Sequence, residues 1–153
     1  MSFTTKITAV LLTVTVLTAA AGCTPTPGGD PLSWLAFPLT LNGTLTQDNS
    51  EYEISLTFDT PTHGRVTIND RDYLCDNGTV TLSRNGILLP TKITPPPVKF
   101  ITGALSIRPE TLTETTSDGS SVTAVYNEYT VTTDKEGSIV KLQTDDITLT
   151  IEN

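Results

Sequence analysis

The sequence predicts an all-β fold, in which about nine to eleven strands form a single antiparallel meander that curves into a half-barrel. Three observations support this prediction. The chain is rich in Thr, Val and Ile, which favour strands. Many short segments alternate apolar and polar residues, and turn-forming residues separate them. Because strands joined by short turns pair antiparallel, a meander follows, with a two-sheet β-sandwich as the alternative.

An apolar segment with small residues at its end opens the chain. Ile7–Ala21 follows a single charge at Lys6 and is shorter than the ~20 apolar residues that a transmembrane helix needs. A basic start, an apolar middle and a small-residue end are typical of an export signal. We therefore predict that residues 1–22 are a cleaved signal peptide.

The end of this segment, Ala20-Ala21-Gly22-Cys23, resembles the lipobox of bacterial lipoproteins. The resemblance implies that the Cys23 thiol receives a diacylglycerol and that cleavage leaves Cys23 as the new N-terminus. The family usually has Leu three residues before the cysteine, where this chain has Ala20. We expect an extracytoplasmic protein that acyl chains on Cys23 anchor to the cell membrane or outer membrane. Ordinary secretion after cleavage near Ala21 is the alternative.

Residues 23–33 are predicted to be a Pro- and Gly-rich tether between the lipid and the folded part. Proline favours extended backbone, and the Gly28-Gly29 pair gives flexibility. The eight residues Thr24–Pro31 reach at most about 25–30 Å, which keeps the folded part close to the bilayer. Residues 34–153 are predicted to be a single β domain.

The charge balance excludes one class of partner. The chain has 17 Asp and Glu against 9 Lys and Arg, a formal charge of −8. Loss of Lys6 with the signal peptide makes this −9, because no other charge precedes Cys23. Such a protein is repelled by nucleic acid, so we expect no nucleic-acid partner. Cys75 is then the remaining thiol, and we expect it to be buried on a strand.

The first two predicted strands are segments 37–46 and 51–59, with a turn at Gln47–Ser50. Apolar alternation runs through Asn42-Gly43, so these residues indicate a bulge or bend in one long strand and not a hairpin. Short strands then alternate with turns. Turns are expected at the Asn-, Asp- and Gly-containing segments 69–71, 76–78 and 85–86.

A proline cluster interrupts this series at Pro95–Pro97. Prolines donate no backbone hydrogen bond, so we predict a crossover or edge loop there. Ile101, Leu105 and Ile107 share a parity that indicates a further strand. The sequence predicts essentially no helix, apart from a single turn within Pro31–Phe37.

The last third of the chain is predicted to consist of strands. A long strand spans Val122–Val131, and its apolar residues switch face near Asn127, which indicates a bulge or twist. Turns at 134–137 and 145–146 lead to a closing strand at Ile147–Ile151.

The sequence contains no convincing catalytic or metal-binding constellation. His63 is the only histidine, and it lies in a predicted turn. The sequence has no GxSxG motif, which would mark a nucleophilic serine. Asp70, Asp72 and Asp76 lack the spacing of a calcium-binding loop. We therefore expect no enzymatic activity, no metal and no cofactor.

The mature region resembles carrier-type lipoproteins, the LolA/LppX-like half-barrels. The similarity lies in Phe37–Phe58 ("FPLTLNGTLTQDNSEYEISLTF"), Thr79–Leu82 and Ile147–Ile151. It implies an open curved sheet whose concave face holds a lipid. Members of that class line or plug the concave face with helices, whereas this sequence predicts none. The class supplies no catalytic residue.

These observations predict a membrane-anchored, non-enzymatic binding module for an apolar ligand or lipid. The candidate ligand-binding residues lie on the apolar face of the sheet: Leu41, Leu56, Phe58, Tyr73 and Val125. The alternative is a structural or protein-interaction lipoprotein of the envelope without a small-molecule ligand. Its protein partner would meet a polar sheet face or an exposed sheet edge.

Overall fold

The structure, a computed structural model, describes residues 30–152. The predicted signal peptide, Cys23 and most of the predicted tether lie outside the described residues. Eleven strands in the described part form one antiparallel sheet that is not closed. The strands are β1 Leu39–Gln47, β2 Ser50–Thr60, β3 His63–Ile68, β4 Arg71–Asp76, β5 Thr79–Arg84, β6 Ile87–Pro90, β7 Leu112–Ser117, β8 Ser121–Tyr126, β9 Tyr129–Asp134, β10 Ile139–Gln143 and β11 Ile147–Ile151.

The strands lie in the order β6-β5-β4-β3-β2-β1-β11-β10-β9-β8-β7. Two meanders, β1–β6 and β7–β11, therefore join where β1 pairs with β11 in the middle of the sheet. The predicted all-β antiparallel meander is confirmed, and the two-sheet alternative is wrong because one sheet contains all eleven strands. The two edges of the sheet, β6 and β7, come from the middle of the sequence.

Asparagine makes most of the tight turns. Asn69, Asn77, Asn85 and Asn127 all have positive φ angles, between 46° and 53°. Asparagine tolerates this left-handed conformation, which two-residue hairpin turns require. The turns predicted around the first three are confirmed. At Asn127 the prediction was wrong, because the chain reverses there between β8 and β9 and does not continue as one bulged strand.

Strand β1 runs without interruption through Gly43, as predicted. Its pairing with β2 is continuous from Leu39 to Gln47, so the predicted bulge or bend at this glycine is absent. The glycine has a different role. A Cβ atom at Gly43 would collide with the carbonyl oxygen of Thr150, so the absence of a side chain lets β11 approach β1 closely.

The proline cluster begins a helix, α1, which spans Pro96–Ala104. Pro96 and Pro97 occupy its first turn, where no backbone N–H is needed and where the fixed φ of proline suits a helix. The crossover was predicted, but the strand through Ile101 and Leu105 was not found. Their spacing of four residues fits a helix equally well, and the helix is what the chain forms.

Helix α1 connects the two edge strands and packs into the core of the molecule. Its buried side chains contact the sheet in one cluster, so α1 lies on the apolar face. The buried helix residues are Pro97, Val98, Phe100, Ile101 and Ala104. A short 3-10 turn, Pro109–Thr111, then leads into β7.

The folded part begins before the predicted boundary at residue 34. Leu32 and Trp34 are both 8% exposed and belong to the core. Asp30 holds the turn that places them, since its carboxylate accepts a hydrogen bond from the backbone N–H of Leu32 at 2.9 Å. Leu32 thus packs with the folded domain, although it lies two residues before the predicted start of that domain at residue 34.

Candidate functional site

A groove of about 840 Å³ lies beside α1 in the part of the chain that the structure describes. It crosses the sheet obliquely, as the strand registers show. Phe58 lines the groove and pairs with Leu39 at the start of β1, whereas Ile147 also lines it and pairs with Gln47 at the end of β1. Residues from both ends of the strands therefore line the groove.

One wall of the groove is a row of residues directly opposite one another on four strands. Phe58 on β2 pairs with Gly64 on β3, Gly64 pairs with Cys75 on β4, and Cys75 pairs with Val80 on β5. A Cβ atom at Gly64 would lie 2.5 Å from the Phe58 ring. The missing side chain at Gly64 therefore lets the Phe58 ring lie across β3, which gives the wall an apolar surface.

Helix α1 forms the opposite side of the groove and is held by Tyr129. The Tyr129 hydroxyl donates a hydrogen bond to the Phe100 carbonyl oxygen at 3.1 Å, and the two ring centroids are 5.8 Å apart. Gly103 permits this contact, because a side chain there would collide with the same hydroxyl. Burial, and secondly the charge of Glu128, raise the pKa of Tyr129.

The groove also carries charge. Its lining includes the carboxylates of Glu128, Asp145 and Asp146 and the ammonium group of Lys99. Within residues 30–152, none of these four side chains forms a salt bridge. Three negative charges against one positive charge make the potential in the groove negative, in keeping with the acidic chain.

The other side of α1 is closed. Ile101, Ala104 and Leu105 pack against Trp34 and the central strands, and the space left there is only about 10 Å³. This volume is at the lower limit for one water molecule, and its walls are apolar. Of these two spaces beside α1, in the part of the chain that the structure describes, the groove is the one that is large enough for a ligand.

The five predicted ligand-binding residues do not lie together in the structure. Phe58 lines the groove. Leu41 and Leu56 contact the closed side of α1, and Tyr73 is buried in the core. Val125 lies on the opposite face, because its neighbours Ala124 and Tyr126 are the buried residues of β8, so its predicted place on the concave face is wrong.

Sequence reasoning missed most of the groove. Phe100 lies on the helix that was not predicted, and Tyr129 was assigned to the wrong strand. The carboxylates of Glu128, Asp145 and Asp146 lie in turns, where charged residues are common and carry no signal of their own. The available signal was Pro96 as a helix start, followed by apolar residues at helical spacing.

The residues considered for catalysis do not form a site. The His63 imidazole is exposed and lies 3.5 Å from the Asp76 carboxylate at the surface. Cys75 is buried as predicted, and burial raises the pKa of its thiol, which disfavours the nucleophilic thiolate.

The considered acidic residues do not form a metal site either. Asp70 and Asp76 lie at opposite ends of β4, and Asp72 accepts a hydrogen bond from the Thr67 hydroxyl at 2.7 Å. Across residues 30–152 there is no group of three His, Cys, Asp or Glu side chains placed to hold a metal ion.

Two further findings concern the chain as a whole. In the part of the chain that the structure describes, no helix has the length and hydropathy to cross a bilayer. In comparisons with known proteins, no family model and no curated protein matches the chain.

Proposed function

We propose that this protein is a lipid-anchored, extracytoplasmic binding module without enzymatic activity, and that its groove holds an apolar ligand or lipid. The observation that carries the proposal is the groove of about 840 Å³ with an apolar wall at Phe58, Cys75 and Val80. Small-molecule sites typically have volumes of ~300–1,000 Å³ and mostly apolar linings with a few polar groups. The groove has a volume in this range, and its lining combines the apolar wall with polar and charged side chains.

The position of α1 supports the proposal. The helix lies on the apolar face of an open sheet, and the sheet is closed against it on one side only. A helix on this face is also what the resemblance to carrier-type half-barrels implies. The second side of α1 therefore offers an apolar surface that a ligand can cover.

The anchor belongs to the same proposal and rests on the lipobox at Cys23. One acyl chain gives only reversible attachment, whereas two or three chains hold a protein durably. The expected result is that the protein fractionates with membranes and that Cys23→Ser abolishes the incorporation of a fatty-acid label. Mass spectrometry of the native protein checks the acylation directly, and an unmodified Cys23 in that measurement would contradict the anchor.

Ligand binding is tested with the full chain carrying Cys23→Ser and a neutral apolar dye such as Nile red. We expect saturable dye binding that long-chain lipids displace. Thr79→Trp should fill the groove and weaken dye binding, because Thr79 lies on its lining. Thr57→Trp is the matched control, since this exposed strand threonine lies outside the groove. The proposed function would be contradicted if dye binding were not saturable, or if Thr79→Trp and Thr57→Trp weakened it equally.

The alternative, a protein-interaction role in the envelope, is favoured by the edge strand β6. All four of its residues are exposed, including Ile87 at 63%, Leu88 at 57% and Leu89 at 45%. An exposed apolar edge can accept a strand from a partner protein. Crosslinking in intact cells should then recover a protein that Leu88→Lys no longer captures. Recovery of lipid without protein would speak against this role.

A further inference from the structure

The groove has two chemically different ends. Its apolar wall stands near the turns after β2 and β4, where Phe58, Cys75 and Val80 lie side by side. Its carboxylates lie in the turns after β8 and β10. These two turns are neighbours, because Thr130 at the start of β9 pairs with Gln143 at the end of β10.

The register separates the two ends along the strand direction. Phe58 pairs with the first residue of β1, and Ile147 pairs with its last residue. Eight residue steps along β1 separate those two positions. The apolar wall and the acidic turns therefore lie towards different ends of the strands, and both line the groove.

The acidic end also offers aromatic side chains. Tyr129 follows Glu128 directly, and its ring lies against Phe100 on α1. Both rings line the groove. Carboxylates attract a cation by charge, and the partly buried Tyr129 ring adds an aromatic surface that attracts a quaternary ammonium group, whereas Phe100 is 5% exposed and supports that ring. A negatively charged head group would be repelled by three carboxylates and attracted by Lys99 alone.

On these grounds, and resting on the proposed function, we propose that the groove selects amphiphiles with a positively charged head group. The head lies between the β8–β9 and β10–β11 turns, near Glu128, Asp145 and Asp146. The apolar chain runs along α1 towards Phe58 and Val80. The protein thus binds cationic amphiphiles in preference to anionic ones of the same chain length.

The test uses the full chain with Cys23→Ser, so that no acyl chain of the protein itself competes for the groove. Calorimetry below the critical micelle concentration compares three dodecyl probes with a trimethylammonium, a maltoside or a sulfate head. We expect the trimethylammonium probe to bind about tenfold more tightly than the sulfate probe at low ionic strength, and this ratio to fall as salt is added.

Two triple variants with the same net charge locate the selectivity. Glu128→Gln, Asp145→Asn and Asp146→Asn together should bring the affinity ratio close to one. Glu51→Gln, Glu53→Gln and Glu114→Gln together are the control, because these exposed carboxylates lie on strands outside the groove. The control variant should keep the ratio of the unsubstituted groove.

The outcomes separate this inference from the function on which it rests. If no probe binds, the proposed function fails. If the neutral and anionic probes bind as well as the cationic one, the groove binds ligands but the inference about charge is wrong. If both triple variants change the ratio equally, the selectivity comes from the net charge of the protein and not from the groove, which also overturns the inference.

Discussion

At the residue scale, the groove depends on a glycine as much as on the aromatic residues. The Phe58 ring lies over Gly64, where a Cβ atom would be 2.5 Å from ring atoms and from the backbone oxygen of Thr57. Overpacking of this kind typically costs about 1–3 kcal/mol. Gly64 is therefore a shape-determining residue, although it has no side chain to contact a ligand.

We predict that Gly64→Ala lowers the free energy of unfolding by about 1–3 kcal/mol and weakens dye binding, because the Phe58 ring is pushed into the groove. Urea unfolding and dye titration measure the two effects. Phe58→Leu should remove part of the cost of Gly64→Ala, with a coupling of about 0.5–3 kcal/mol between the two changes. Strictly additive effects would show that the ring and the glycine do not interact.

Alkaline pH should destabilise the protein. Burial raises the pKa of Cys75 above 9.0 and those of Tyr126 and Tyr129 above 10.0. The folded state thus retains protons that the unfolded state loses, so the stabilisation is complete below these values and is lost as the pH rises through the folded-state values. Urea unfolding at increasing pH checks this, and Tyr126→Phe with Tyr129→Phe should flatten the decline. A free energy of unfolding that stays constant above pH 10 would contradict it.

Individual site residues were predictable only where the strand assignment was correct. Phe58 lies in a strand with unbroken alternation, so its burial followed from parity. Val125 was placed on the wrong face because the turn at Asn127 was taken for a bulge, and a hairpin changes which residues face the core. The left-handed conformation of one residue, Asn127, therefore decides whether the chain forms one long strand or the two strands β8 and β9.

At the scale of elements, α1 is the part that the strand pattern concealed. Prolines occur both in loops and in the first turn of a helix, because neither place needs a backbone N–H donor. Pro96 and Pro97 therefore do not distinguish a helix start from a loop. Val98, Ile101 and Leu105 fit a helical face, yet nine residues in a β-rich chain give a weak period. The burial of that face against the sheet, and not local propensity, stabilises the helix.

We predict that Ile101→Ala lowers the free energy of unfolding by about 2–5 kcal/mol, because Ile101 is 2% exposed and fills the closed side of α1. Lys99→Ala is the control on the same helix. Lys99 is exposed, so its replacement should change stability by no more than about 0.5 kcal/mol. Urea unfolding compares the two variants. Equal effects would mean that α1 is not packed as described.

At the scale of the whole molecule, the antiparallel meander followed from alternation and turn residues, which are local signals. These local signals did not predict that all strands form a single sheet, that β1 pairs with β11 at its centre, or that a groove is present. Pairing between Gly43 and Ile151 spans most of the folded chain, and no local pattern encodes it. The groove is lined by residues from segments that are distant in sequence, from Phe58 to Ile147, so it could not be read from any one segment.

Removal of β11 tests the role of this central pair. We predict that a chain ending at residue 146 does not fold cooperatively, because β1 and β10 each lose a pairing partner and Leu149, which is 2% exposed, leaves the core. Circular dichroism and urea unfolding measure the loss. As a control, truncation after Ile151 should keep the transition of the full chain. A cooperative transition in the shorter chain would show that the two meanders fold independently.

The placement of β11 at the centre has a consequence for biosynthesis. A ribosome makes β1 first and β11 after all the other strands, so the seam of the sheet stays unpaired until Ile151 has been made. Until then, β1 presents an open row of backbone donors and acceptors that another nascent chain could join. A product that ends before β11 is therefore expected to be prone to aggregation at this edge.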